Sequence, residues 1–263
     1  MKLKGKRVIF FLLAFSFLLS ISSFPGAAAE LKKIQQRGYI IIGVKDNLRP
    51  LGFRDAAGNL QGLEIDLAQR LAQDIVGKPG AVKLQPVSNL TRLSVILEGK
   101  VDLVIADVTA TGARARLVNF SAPYYFDGTA ILTKVAAVQN LSNLARAKII
   151  VLQGSSTIAK VRFLLPEAQL VGANSYEQAR SLLESGAATA FAADATILSG
   201  WIQEYPQYRL LPTLIGAEPL CVVMPKGLQY DRLRQQVNAA IARYAAEGWL
   251  QQKVTNWGLP LAN

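Results

Sequence analysis

Short apolar runs of strand character alternate along this chain with longer stretches whose apolar residues recur every three or four positions. Tyr39-Ile-Ile-Ile-Gly-Val44 is continuous and rich in β-branched residues, as in a strand buried on both faces. Leu63, Leu67, Leu71 and Ile75 fall at helical spacing and predict a helix over 63–75. The same logic predicts a helix over 30–37 ended by Gly38, strands over 82–87 and 101–106, and a helix over 90–98 stopped by Gly99. Arg49-Pro50 and Gly58-Asn59 mark 46–62 as a loop or hairpin.

The alternation then repeats. A strand over 148–152 leads into Gly154-Ser155-Ser156 and a helix over 157–164. A short strand begins at Leu170-Val171, and helices over 175–183 and 195–204 flank a strand over 188–193. A strand over 220–224 and a long amphipathic helix over 230–247 follow. Strand–helix alternation of this kind predicts an α/β fold with mostly parallel sheets flanked by helices. Two halves of similar grammar predict two lobes. No Gly/Ser-rich linker separates them; the connections read as strands at 130–134 and 218–223, two crossings that would permit a hinge.

The first residues stand apart from this pattern. Met1-Lys-Leu-Lys-Gly-Lys-Arg7, an apolar run over 8–21 and Ala27-Ala28-Ala29 have the layout of a secretory signal peptide, with cleavage expected after Ala29. A retained membrane anchor is the alternative, although a span needs roughly 20 apolar residues. The chain carries 29 basic and 18 acidic residues, and without Lys2, Lys4, Lys6 and Arg7 its net charge falls from +11 to +7. The cations are scattered and lack the aromatic interleaving of a nucleic-acid surface, so no nucleic-acid partner is expected. Cys221 is the only cysteine and there is no histidine. Internal disulfides, His-dependent triads, histidine metal sites and Cys–His nucleophiles are thereby excluded, and neither metal nor cofactor is expected.

Two charges occupy matching contexts. Arg114 closes Val104-Ile-Ala-Asp-Val-Thr-Ala-Thr-Gly-Ala-Arg114, and Asp194 closes Thr189-Ala-Phe-Ala-Ala-Asp194, each after a short apolar strand-like run. Ligand groups gather beyond the carboxyl ends of strands in α/β proteins. A guanidinium and a carboxylate placed there could hold the two ends of a free amino acid, and the arginine fork suits a planar carboxylate. Two unrelated surface charges would look the same from sequence.

Several segments in order resemble the periplasmic amino-acid-binding proteins of ABC importers, the family-3 extracellular solute-binding proteins. They are Arg37-Gly38 through Val44, Gly52-Phe53-Arg-Asp55 to Gly62-Leu63-Glu64-Ile65-Asp66-Leu67-Ala68, Gly99-Lys-Val-Asp102 to Ala106, Asn119-Phe120-Ser121-Ala-Pro123-Tyr124-Tyr125, Glu247-Gly248-Trp249 and Trp257-Gly258. The resemblance implies a two-lobed type II periplasmic-binding-protein fold. Lobe one would hold 30–131 and 221–263, and lobe two, inserted, 132–220. It also implies a monomer that works in the periplasm with an inner-membrane permease as partner. Thr109-Ala-Thr111-Gly-Ala-Arg114 matches the family's Thr-x-Thr-x-x-Arg pattern, so Arg114 would clamp the ligand carboxylate and Thr109 would assist. Gly154-Ser155-Ser156 matches Gly-Thr-Thr; Ser156 would donate to the same carboxylate, and both serines would also cap the following helix. Asp194 matches the acidic residue that receives the ammonium.

Departures from the pattern concern the side-chain pocket. Aromatic rings that many relatives place near Leu51 and Asn89 are absent here, and Asp107 stands where relatives often have Gly or Ser. Asp46 matches an acidic position that faces polar or cationic ligand side chains in relatives, or is simply a turn residue. Asp46, Asn89, Asp107 and Asp194 would make a polar, acidic cleft and favour a polar or basic amino acid. Two other readings use the same fold: a secreted dehydratase of the cyclohexadienyl type, and a soluble amino-acid sensor. The first needs a general acid, and the segment where such enzymes carry a helix-start carboxylate here holds Ser155, Ser156 and Thr157.

Overall fold

Residues 30–259 are described by the computed structural model, with Gln203 described by its backbone alone. The signal-peptide reading of 1–29 lies outside the described residues. Helix α1 (Leu31–Arg37) ends where Gly38 takes the left-handed conformation, and strand β1 (Ile40–Val44) follows. Strands β2 (Asn47–Leu48), β3 (Gly52–Arg54) and β4 (Leu60–Gln61) form a small antiparallel sheet, which gives the predicted hairpin its shape. Helix α2 (Leu63–Val76) buries Leu63, Leu67, Leu71 and Ile75 on one face, as their spacing requires. Strand β5 (Val82–Pro86), the short helix α3 (Ser94–Leu97) and strand β6 (Leu103–Ile105) complete this half. Helix α3 is shorter than the predicted 90–98. Ser88 and Thr91 bond each other's backbone and side chains just ahead of it, a local alternative to helix.

After helix α4 (Gly112–Ala115) comes the largest difference from the sequence reading. Strand β7 runs over Asn119–Thr133, where only its end was predicted. Its partner is β12 (Ile215–Met224), paired antiparallel with register shifts on both sides of Cys221. Pro123 cannot donate to a ladder, and those irregularities next to it are what let the strand continue. Between β7 and β12 the chain builds β8 (Lys148–Leu152), α5 (Thr157–Leu164), β9 (Gln169–Ala173), α6 (Tyr176–Glu184), β10 (Ala190–Asp194), α7 (Ala195–Glu204) and β11 (Arg209–Leu210). Helices α8 (Asp231–Ala246) and α9 (Trp249–Asn256) return to the first half.

The main sheet has the order β5-β1-β6-β12-β7-β10-β8-β9, with β11 also on β7. Two parallel wings, β5-β1-β6 and β10-β8-β9, are thus joined by the antiparallel β7/β12 pair. β12 meets the first wing at Val223–Val104, and β7 meets the second from Thr129 onward. Between those contacts, Asp127–Glu218 and Phe126–Pro219 hold the two long strands to each other. This is the two-lobed α/β fold with two strand crossings.

Candidate functional site

The first wing's wall of the cleft is set by the turn after β6. Asp107 adopts φ 56, the only positive φ outside glycine among the described residues. Aspartate tolerates that region better than most residues. Its backbone N–H donates to Glu64 Oε1 at 2.6 Å, and the Tyr124 hydroxyl donates to the same oxygen at 2.6 Å. Glu64 is fully buried. Burial, with the Asp107 charge adding to it, pushes its carboxyl up to about 7 despite the two hydrogen bonds. Arg92, also buried, donates to the carbonyls of Ala106, at 2.8 Å, and Asp107, and its Nη1 lies 3.8 Å from Asp107 Oδ2.

Thr111 caps α4 by accepting the Arg114 N–H at 3.3 Å, which orients the side chain one turn on. The Arg114 guanidinium then donates to Thr109 O and across the cleft to Gly154 O, both at 2.8 Å. Burial, and next the Arg92 charge, lowers its pKa to about 10, which leaves it cationic at neutral pH.

From the second wing comes Asp194, the last residue of β10. It stands at the N-cap position of α7 but makes no capping bond. Asp127 takes that role, accepting the Thr196 N–H at 3.3 Å and the Thr196 hydroxyl. The buried Asp194 carboxyl instead meets that of Asp107 in hydrogen-bond contact. Burial raises both carboxyls, and the two cannot both be charged at this separation. The neighbouring Arg92 keeps the charge on Asp107, so the proton belongs to Asp194.

Ser156 departs from expectation as a cap. Its backbone is already helical, at φ −70 and ψ −22, and it makes no capping bond. Its hydroxyl donates to Glu218 Oε2 at 2.7 Å and lies 3.2 Å from Thr109 Oγ1 across the cleft. Glu218, on β12, also pairs with Lys160 and accepts from Thr129 at 3.2 Å. The Ser155 hydroxyl is buried without a partner and caps nothing.

Leu51 is a correction. It is wholly buried in the main core, its carbonyl accepting the Glu64 N–H, and it does not reach the cleft. The neighbouring Leu48 and Arg49 line a cleft cavity in its place, opposite Tyr176 and Trp201. Asp46 and Asn89 do face the cleft, in a second cavity shared with Lys45 and Tyr176. The structure therefore brings Thr109, Arg114, Ser156, Asp107 and Asp194 together, sets Asp46 and Asn89 to one side, and removes Leu51.

Sequence reasoning missed Lys45, Glu64, Arg92 and Glu218. A signal existed for two of them. Glu64, Ala68, Leu71 and Ile75 share helical spacing, as do Arg92, Val95 and Ile96, so both charged residues lie on otherwise apolar faces. Among the described residues no group of three or more His, Cys, Asp or Glu could hold a metal ion, and no helix is long and apolar enough to cross a membrane.

The model of the bacterial extracellular solute-binding proteins, family 3, matches residues 40–260. The glutamine-binding protein GlnH of an ABC transporter from Bacillus subtilis is 28% identical over 239 residues, covering 88% of this chain and 87% of that protein. The crystal structure of a solute receptor for L-cysteine from Neisseria gonorrhoeae superposes with a TM-score of 0.80 at 28% identity, covering 87% of this chain and 93% of that one. An ancestral arginine-binding protein bound to arginine gives a TM-score of 0.76 at 26% identity, covering 84% and 98%. Two solved structures named for chemically different ligands, cysteine and arginine, share this scaffold, so the scaffold does not by itself choose the ligand.

Proposed function

The chain belongs to family 3 of the bacterial extracellular solute-binding proteins, and from that premise we propose that it captures a free L-amino acid between its lobes in the periplasm and delivers it to an inner-membrane ABC permease. As a member of this family it is a binding protein and not an enzyme, and the dehydratase alternative falls away. The observation that carries the reading is the convergence across one cleft of Arg114 and Thr109 from the first wing with Asp194 and Ser156 from the second. The ligand's carboxylate would take the Arg114 fork, aided by Thr109 and Ser156. Its ammonium would take Asp194, displacing the proton that carboxyl shares with Asp107.

Because the two ends of the ligand engage opposite lobes, binding favours the closed state, and that differential affinity is what a permease can read. The moving units are 30–131 with 221–263, and 132–220, acting as a monomer. The hinge would lie where β7 and β12 cross between the wings, around the paired Asp127 and Glu218.

Titration calorimetry on Arg114→Ala and Asp194→Ala tests the clamp. Each substitution strands a desolvated opposite charge and should weaken amino-acid binding by about 2–5 kcal/mol. Affinity close to wild type in both variants would overturn the reading.

A further inference from the structure

Beside the clamp, the cleft continues into a cavity of about 240 Å³ whose walls include Lys45, Ser88 and Asn89 from the first wing and Asn174, Ser175 and Tyr176 from the second. It abuts the clamp directly. The Asn89 carbonyl lies against Gly154, only 2.9 Å from where a Cβ on that glycine would stand, and Gly154 O is the acceptor of the Arg114 guanidinium.

Two of the residues that line this cavity carry buried donors. Lys45 is 4% exposed, yet its ammonium has one hydrogen-bond acceptor among the described residues, Asn89 Oδ1 at 3.2 Å. An ammonium carries three N–H groups, so two are without an acceptor among the described residues. The Tyr176 hydroxyl is buried and has no hydrogen-bond partner. Buried donors are costly to leave unsatisfied. Of the other polar wall groups, Ser88 is engaged with Thr91, Ser175 with the Gln178 N–H, and the Asn174 N–H with the Gln178 side chain, while the side-chain amides of Asn47 and Asn174 belong to exposed residues. Asp46, the carboxylate on this wall, stands at the rim with its side chain 32% exposed and pairs with Arg54 at 3.3 Å.

Charge points the same way. Lys45, Arg92 and Arg114 bring three basic groups to this part of the cleft, while Asp107 and Asp194 hold a proton between them. Burial and then the Arg92 charge lower the Lys45 pKa, so that an acceptor or anion beside it would favour its ammonium. A second cationic side chain entering beside Lys45 would meet like charge, and a guanidinium or ammonium has no acceptor to offer the waiting donors.

Resting on the amino-acid clamp proposed above, we propose that Lys45, Asn89 and Tyr176 form the side-chain subsite and select an L-amino acid whose side chain ends in a carboxylate or carboxamide, over cationic, apolar or thiol side chains. This keeps the polar half of the polar-or-basic preference read from Asp46, Asn89, Asp107 and Asp194 and drops the basic half.

Titration calorimetry of the purified protein against L-glutamate, L-aspartate, L-glutamine, L-asparagine, L-arginine, L-lysine, L-leucine, L-cysteine and L-alanine decides it. One of the first four should bind at least about tenfold more tightly than the other five, and which one it is separates the acid from the amide. Lys45→Met, which keeps the stem and removes the charge, should weaken that ligand by about tenfold or more, and Tyr176→Phe by about threefold, with L-alanine affinity little changed. Should Lys45→Met fail to fold by circular dichroism, the Tyr176→Phe comparison still stands. Tighter binding of arginine, lysine, leucine or cysteine overturns the subsite while leaving the clamp intact, as does an unchanged preference in both variants. Binding of no amino acid at all overturns the clamp and the subsite with it.

Discussion

The two walls of the cleft are built on different principles. The first-wing wall is a braced network: Arg92 ties the Asp107 turn to its own strand end, Glu64 gathers the Asp107 N–H and the Tyr124 hydroxyl, and Lys45 bonds Asn89. The second-wing wall is sparse, offering the Asp194 carboxyl, the Ser156 hydroxyl and the Gly154 carbonyl at strand and helix ends. The first wall is thus braced by a dense set of its own contacts, whereas the second presents fewer groups, with Ser156 held by Glu218 and the Gly154 carbonyl by Arg114 across the gap. Damage to the bracing residues Arg92 and Glu64 should therefore show as lost stability, and damage to the groups that face the gap, such as Arg114 and Asp194, chiefly as lost binding.

The sharpest way to break this contrast is Arg92→Ala. It would leave Asp107 buried without its cation, and chemical denaturation should register a loss of about 3–5 kcal/mol. A loss no larger than that of a surface substitution would mean the wall is not braced as described. A somewhat smaller effect concerns Glu64. With its carboxyl raised from 4.5 to about 7, the folded protein holds a proton that the unfolded chain releases. That stabilisation is complete below pH 4.5 and is lost as pH climbs to about 7, a fall of about 3 kcal/mol from this group. Asp194, raised by burial, acts in the same direction. Urea midpoints at pH 5 and pH 8 should differ less in Glu64→Gln than in the wild type; equal differences would remove the buried proton from the account. The smallest effect is expected at the rim, where Asp46 is partly exposed and already paired. Asp46→Asn should change affinity by less than about twofold, because such exposed pairs contribute little.

The regular elements were largely legible. Strand β1 and helix α2 carry patterns that only one secondary structure satisfies, and both appear where the residues place them. Strand β7 was not, because Pro, Asp and Gly are depleted in strands and it runs through Pro123, Asp127 and Gly128 with β12 paired beside it. Among site residues, Arg114 and Asp194 could be found because each ends an apolar run. Leu51 could not be placed, since an apolar residue in a loop looks the same whether it faces the cleft or the core. The buried cations were missed for the opposite reason: a lysine or arginine is ordinarily a surface residue, and Lys45 and Arg92 are exceptions made by partners 44 and 14 residues away.

By itself the chain determined the strand–helix alternation, the two similar halves and the turns that carry Arg114 and Asp194, because periodicity and turn chemistry are local. Only the tertiary structure decided which charges share a dielectric: that Asp107 faces Asp194, that Arg92 neutralises one of them, and that Lys45 and Tyr176 line one cavity. Burial and Coulomb energy depend on distance in space, and residues far apart along the chain carry no record of it until the sheet has brought them together.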